Sequence, residues 1–143
     1  MEYKKGSHSV YQLQYHIVFC TKYRYRVLTG DIGRRARALI KEICATNYVD
    51  VLSGNVCPDH VHLLISVPPH ISVSKIVQYI KGKSSRKLQQ EYSELKKRYW
   101  GQHLWARGYF AVTIGTLNSS DIQEYIENQE LHHKNDNFKI SEY

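Results

Sequence analysis

Two histidines separated by one residue are the first group in the chain that could perform chemistry. His60 and His62 lie in residues 60–67, where apolar and polar side chains alternate as in a strand. Because strand side chains alternate between faces, both imidazoles point to one face, and Val61 and Leu63 point to the core. Two adjacent imidazoles on an exposed face suit a divalent metal. Because the motif is short, the alternative is a pair of solvent-facing histidines without a ligand.

Cys57 offers a second interpretation, in which it joins the two histidines as a ligand of structural zinc. Against this, Cys57 precedes a Pro-Asp turn, and no second pair of Cys or His stands at the spacing of structural zinc sites. The Cys-x-x-Cys and His-x-Glu signature of nucleobase deaminases is also absent. Together with Cys20 and Cys44, Cys57 makes an odd set without short-range pairing, so we expect buried thiols in a reducing cytosol.

Tyr125 and Gln129 form the second candidate pair. Their spacing places them on one face of a helix predicted to begin after Ser119 or Ser120 and to end near His133. A tyrosine phenol is a possible covalent nucleophile, and its free pKa of about 10 means that it needs a nearby base or metal. The Gln129 amide oxygen is a hard ligand for Mg²⁺ or Mn²⁺. An ordinary amphipathic helix with a half-buried tyrosine is the alternative.

Two basic segments indicate a polyanionic partner, in keeping with a net charge of +7 on 143 residues. Residues 81–87 carry cations and hydroxyls that can neutralise phosphates. Residues 21–28 alternate cations with tyrosines, which suits a single strand whose bases stack and whose phosphates pair. In each segment a solvated charged surface is the alternative. The candidate nucleic-acid contacts are Lys22, Tyr23, Arg24, Lys81, Lys83, Ser84, Ser85 and Arg86.

The elements that must position these residues follow the order β-α-β-β-α-β. We predict strands over residues 11–20, 49–56, 60–67 and 105–114, a first helix capped by Asp31 and a second capped by Ser72. This α+β pattern is ferredoxin-like or RRM-like: an antiparallel sheet with helices on one face and an open second face. A flexible connection over residues 115–118 leads to a C-terminal helix over about 119–133.

The length and composition place limits on the class of protein. A chain of 143 residues has the usual size of one domain. Residues 1–10 are polar and basic without the apolar core of a signal peptide. No apolar run approaches the roughly 20 residues needed to span a bilayer. We therefore expect a soluble, cytoplasmic protein with no membrane partner.

Five stretches together resemble one family, the single-tyrosine transposases of the smallest bacterial insertion sequences. These belong to the His-hydrophobe-His (HUH) endonucleases, which are related to rolling-circle initiators and relaxases. The stretches occur in family order and cover nearly the whole chain: TKYR at 21–24, PDHVHL at 58–63, KGKSSR at 81–86, WARGYF at 105–110 and YIENQ at 125–129.

This resemblance implies roles for individual residues. His60, His62 and Gln129 would bind one Mg²⁺ or Mn²⁺, Tyr125 would be the nucleophile, and Arg107 would join the nucleic-acid contacts. Residues 1–143 would form a single catalytic domain. The enzyme would cut single-stranded DNA beside hairpins at element ends and rejoin it through a 5′-phosphotyrosine. It would act as a homodimer in which the last helix crosses to the partner, so that each active site is composite.

Two other functions remain open from the sequence. A non-catalytic single-stranded nucleic-acid binder on the same fold would keep its binding after loss of Tyr125 and of metal. The RNA-binding version of this fold stacks bases on sheet aromatics, whereas here the third strand presents His60 and His62. A metal-dependent hydrolase using activated water would leave no protein–DNA adduct.

Overall fold

The computed structural model describes residues 4–5, 10–114 and 138–141. Tyr125, Gln129, the connection over residues 115–118 and the predicted C-terminal helix lie outside the described residues. The strands are β1 (Lys4–Lys5), β2 (Val10–Tyr11), β3 (Gln14–Cys20), β4 (Asp50–Cys57), β5 (His60–Ser66), β6 (Phe110–Ile114) and β7 (Phe138–Ile140). The α-helices are α1 (Gly30–Thr46), α2 (Val73–Glu91) and α3 (Ser93–Arg98), and a short 3₁₀-helix spans Lys22–Arg24.

The main sheet of the described residues has the strand order β6-β3-β5-β4-β7. Strand β3 pairs antiparallel with β5 and β6, and β5 pairs antiparallel with β4. Strand β7 pairs parallel with β4, so the sheet is mixed. The predicted α+β class and the antiparallel pairing of the four predicted strands are confirmed. The parallel edge strand β7, which makes the sheet mixed, was not predicted.

The core lies between the sheet and helices α1 and α2. Ile17 on β3 and Val61 on β5 are fully buried, as are Ile40 on α1 and Ile76 on α2. These positions follow the strand period of two and the helical period of 3.6. The predicted core face of β5 is therefore confirmed.

The two predicted helix caps have different outcomes. Ser72 caps α2 as predicted, since its Oγ accepts a hydrogen bond of 3.1 Å from the Lys75 amide. Asp31 is not the cap of α1, because the helix begins at Gly30 and Thr29 occupies the N-cap position. Asp31 lies instead in the first turn, where its carboxylate pairs with Arg34.

Strand β6 is shorter than the strand predicted over residues 105–114. Gly108 has a φ of +77°, which turns the backbone away from the extended conformation. Trp105 makes only an isolated bridge with Thr21. The Lys81 ammonium holds the intervening loop by donating to the carbonyl oxygens of Ala106 (2.7 Å) and Gly108 (2.9 Å).

The second face of the sheet is only partly open. On β6, Phe110 is 59% exposed and Val112 is 39% exposed. On the β4–β5 half, Asn55 and Leu64 are buried although both point away from the helices. The prediction of an open second face is therefore wrong for this half. Among the described residues, no helix combines the length and apolar character needed to cross a bilayer.

Gly54 allows β7 to join the sheet. A Cβ at this position would lie 2.5 Å from Cδ1 of the Phe138 ring, closer than two carbons can approach. We expect Gly54→Ala to lower the free energy of unfolding by about 1–3 kcal/mol, because Phe138 must shift out of the core. Urea denaturation measures this change.

The control is Gly82→Ala in α2, where an added Cβ meets no atom within 4 Å. Helix propensity alone should make that variant more stable by up to about 1 kcal/mol. Wild-type stability in Gly54→Ala would mean that β7 does not pack on β4 as described.

Candidate active site

His60 and His62 lie on the same face of β5, as the alternation predicted. Their ring centroids are 4.7 Å apart, with the ring planes at 75°. Both side chains are half-buried, whereas the intervening Val61 is completely buried against the helices. The two imidazoles are thus held by a rigid strand at a separation that a single cation could bridge.

Asp59 fixes the orientation of His60. Its Oδ1 lies 2.7 Å from His60 Nδ1, and its Oδ2 accepts from Arg24 Nε at 3.1 Å. Burial raises the pKa of Asp59, but hydrogen bonds from His60 and Arg24 outweigh this and hold the pKa below its usual value. The carboxylate is therefore ionised at neutral pH and accepts the Nδ1 proton. This leaves the Nε2 lone pair of His60 for a metal ligand bond.

His62 is uncharged at neutral pH. Burial, followed by the neighbouring His60 and His16, lowers the pKa of His62 to about 4. His16 on β3 stacks on it with centroids 5.8 Å apart and ring planes at 16°. Burial also lowers the pKa of His16. Since only neutral imidazole binds a metal, this environment keeps His62 in its ligand form.

Cys57 is the third member of this group. It is the last residue of β4 and pairs directly with His60, the first residue of β5. One ligand atom from each of Cys57, His60 and His62 lies within 4.8 Å of the other two. The group offers two nitrogens and one sulfur, a donor set that fits a divalent transition-metal cation.

A strained turn lies directly beside the histidines. Tyr23 and Arg24 have φ angles of +64° and +55°, which residues with side chains rarely adopt. The turn is held by Thr21, whose amide donates to the Asp59 carbonyl oxygen at 2.9 Å, and by Lys22, whose amide donates to the Leu104 carbonyl oxygen at 2.8 Å. Backbone strain of this kind is concentrated at functional sites.

Aromatic rings and a guanidinium surround this turn. The Tyr23 and Tyr25 centroids are 5.4 Å apart, and those of Tyr25 and Tyr99 are 5.6 Å apart. The Arg98 guanidinium lies 4.2 Å from the Tyr25 ring centroid. Tyr23 at the outer end is 67% exposed, so its ring offers a stacking surface.

A basic groove of about 1120 Å³ runs between α2 and the loop over residues 99–109. Most of the predicted nucleic-acid contacts line it together. Ser85 accepts from the Leu104 amide at 3.2 Å and thereby ties the loop to the helix. The cations that line the groove are Lys22, Lys81, Arg86, Lys96 and Arg107.

Four predicted contacts do not line the groove. Tyr23 and Arg24 lie at the strained turn, and Ser84 and Lys83 belong to α2. Ser84 is completely buried; its Oγ donates to the Ile80 carbonyl oxygen at 2.5 Å and accepts from Trp105 Nε1 at 2.9 Å. It cannot reach a ligand at the surface, so its assignment to nucleic-acid binding is corrected to a structural role. Lys83 is exposed but is not among the residues that line the groove.

Comparison with known proteins gives the family. The model of the IS200-like transposases matches residues 9–129, and the chain belongs to this family. The ISDra2 transposase TnpA of Deinococcus radiodurans is 40% identical over 129 residues, which cover 90% of this chain and 92% of that protein. The IS200 transposase of Salmonella typhimurium is 37% identical over 126 residues, covering 88% and 82%. The chain is therefore a DNA-binding, DNA-processing enzyme.

Solved structures agree with this family. A crystal structure of a candidate transposase from Deinococcus radiodurans superposes with a TM-score of 0.72 at 35% identity, covering 88% of this chain and 97% of that one. A REP-associated tyrosine transposase bound to a REP hairpin gives 0.59 at 18% identity, covering 91% and 70%. The second likeness shows the fold alone.

The Asp59 contact yields a test of the metal site. We expect Asp59→Asn to weaken Mn²⁺ binding by about 10–100-fold, because an amide no longer accepts the His60 proton as a charged group does. Isothermal titration with Mn²⁺ measures the affinity. Asp31→Asn is the matched control, since Asp31 is also paired with an arginine but is exposed on α1. Equal affinities in the two variants would remove Asp59 from the metal site.

Proposed function

We propose that this chain cuts and rejoins single-stranded DNA at the ends of an insertion sequence through a 5′-phosphotyrosine on Tyr125. Membership in the IS200-like family supports the reaction class. The observation that carries the proposal is the pair of histidines on β5, one oriented by Asp59 and the other kept neutral by burial. A protein that only binds nucleic acid does not require one oriented and one neutral imidazole side by side.

His60, His62 and Gln129 would hold one Mg²⁺ or Mn²⁺ in this proposal. A bound cation of this kind polarises the scissile phosphate and stabilises the charge that develops on its oxygens. Within the chain, Asp59 keeps His60 in the tautomer that presents Nε2. The buried surroundings of His62 prevent it from acquiring a proton that would compete with the cation.

Tyr125 would attack phosphorus through its phenolic oxygen. The new bond joins that oxygen to phosphorus, the bond from phosphorus to the 3′ oxygen breaks, and the 3′-hydroxyl leaves with a proton. The 5′-phosphotyrosine conserves the energy of the phosphodiester. A 3′-hydroxyl from a second strand end then attacks the same phosphorus and releases the tyrosine, so no nucleotide cofactor is consumed.

The surfaces beside the histidines would guide the DNA. Tyr23 offers its exposed ring for a base to stack on, next to the Arg24–Asp59 pair that borders His60. Arg86 and Arg107 in the basic groove would neutralise phosphates. The recognised element would be a DNA hairpin, in keeping with the family and with the basic surface.

A homodimer with composite active sites would complete the enzyme. Strand β6 lies at one edge of the described sheet, and its Phe110 and Val112 are exposed. An exposed apolar edge strand of this kind favours pairing with another chain. The helix over about 119–133, with Tyr125 and Gln129, would then reach the histidines of the partner.

The nucleophile is tested with labelled hairpin DNA and Mg²⁺. Wild-type protein should form a covalent adduct that survives denaturation, and Tyr125→Phe should form none while it still binds the DNA, because the variant lacks only one oxygen. Tyr109→Phe makes the same change at an exposed tyrosine and should retain the adduct. Mass spectrometry of the DNA-linked peptide identifies the residue.

Three results would contradict this assignment. An adduct that maps to Tyr23 would move the nucleophile. Cleavage without any adduct would indicate hydrolysis by activated water. Binding without cleavage in wild-type protein would leave a nucleic-acid-binding function alone.

The composite site is tested by mixing two inactive variants, Tyr125→Phe and His62→Ala. After subunit exchange, a heterodimer contains one site with both an intact tyrosine and intact histidines. Cleavage should then reappear at up to about a quarter of the wild-type level, because half of the dimers are mixed and each has one good site. Exchange verified by mass spectrometry without recovered cleavage would mean that each chain completes its own site.

A further inference from the structure

One row of paired residues crosses the sheet at the candidate active site. His60 on β5 pairs with Cys20 on β3 on one side and with Cys57 on β4 on the other. Cross-strand partners point to the same face of a sheet. His60 is therefore flanked by two cysteines on one face of the sheet. Of the two, only Cys57 belongs to the group whose ligand atoms, together with those of His60 and His62, lie within 4.8 Å of one another.

The ligand set of this group differs from the preference of Mg²⁺. Magnesium takes oxygen ligands and gains little from sulfur. Zinc binds thiolate at about 2.3 Å and imidazole at about 2.0 Å, so two ligands of one tetrahedral ion lie about 3.5 Å apart. The ligand atoms of the group lie within 4.8 Å of one another, so side-chain movements of about 1 Å bring them to this separation.

The surroundings of His60 and His62 favour metal binding by their imidazole nitrogens. Asp59 Oδ1 lies 2.7 Å from Nδ1 of His60, which leaves Nε2 of that ring for a metal. The His62 ring is half-buried, with its centroid 4.7 Å from that of His60. Cys57 is completely buried and forms no disulfide among the described residues. A thiolate there has little water to solvate it, so a bound cation would supply the charge compensation.

We propose that Cys57, His60 and His62 form a zinc-selective site, and that Zn²⁺ bound there excludes the cation used for DNA cleavage. As the Zn–S bond forms, the Cys57 thiol releases its proton to solvent, and no oxidation takes place. Zinc binding itself does not require the cleavage reaction. The inhibitory consequence rests on the proposed function, since it requires that cleavage use His60 and His62.

Co²⁺ serves as the spectroscopic probe, because it takes the same tetrahedral ligands and a cobalt–thiolate bond gives an intense near-ultraviolet charge-transfer band. We expect this band in wild-type protein without DNA and its loss in Cys57→Ser. Competition titration should show at least about a tenfold fall in Zn²⁺ affinity in that variant. Mn²⁺ affinity should remain unchanged within about twofold, because a hard ion gains little from sulfur.

Cys20→Ser is the matched control. It removes the thiol on the other side of the same histidine and should retain the band and the zinc affinity. Loss of the band in Cys20→Ser instead of Cys57→Ser, or a cobalt spectrum without the band in wild-type protein, would overturn the proposal. Circular dichroism of each variant establishes that the fold is intact, and Mn²⁺ binding in Cys57→Ser shows independently that the histidines are still in place.

The cleavage assay separates this proposal from the proposed function. Wild-type protein that forms the DNA adduct in Mn²⁺ but shows no cobalt–thiolate band overturns the zinc site alone. Protein that shows the band but never forms an adduct overturns the proposed reaction alone. When both hold, Zn²⁺ should inhibit wild-type cleavage at lower concentration than cleavage by Cys57→Ser, by a factor matching the change in affinity.

Discussion

One turn residue, Asp59, joins the main parts of the candidate active site. Asp59 accepts from His60 through one oxygen and from Arg24 through the other, and its backbone carbonyl accepts from Thr21. The first contact sets the tautomer of a candidate metal ligand. The other two hold the strained turn that carries Tyr23. The distance between the stacking surface and the imidazoles is therefore fixed by contacts to one residue of a tight turn, and a change there would disturb both at once.

The sequence predicted those parts of the site that depend on local periodicity. A period of two correctly placed His60 and His62 on one face of β5 and Val61 and Leu63 on the buried face. The role of Asp59 could not be predicted in this way. The sequence identifies Asp59 only as a turn residue. Its partner Arg24 lies 35 residues earlier, and only the fold brings the two side chains together.

The strand that was not predicted and the incorrect prediction for Ser84 have the same physical origin. Strand β7 has three residues, too few for a pattern, and its place in the sheet depends on a glycine far away in the chain that leaves room for an aromatic ring. Ser84 occurs in a cationic segment that is otherwise exposed, but the helix turns its hydroxyl inward to Trp105. Both features depend on contacts between segments that are distant in the sequence. Local patterns of residue types do not predict such contacts.

The hairpin of β4 and β5 has a consequence for folding. The three potential metal ligands and the carboxylate that orients one of them all lie within residues 57–62. The ligands flank a two-residue turn, and the carboxylate belongs to that turn. Closing so short a loop costs little chain entropy, and isolated hairpins form within about 1–10 μs. This part of the site can therefore assemble before the distant strands have paired, and an early-bound ion would stabilise the hairpin register that the rest of the sheet is built on.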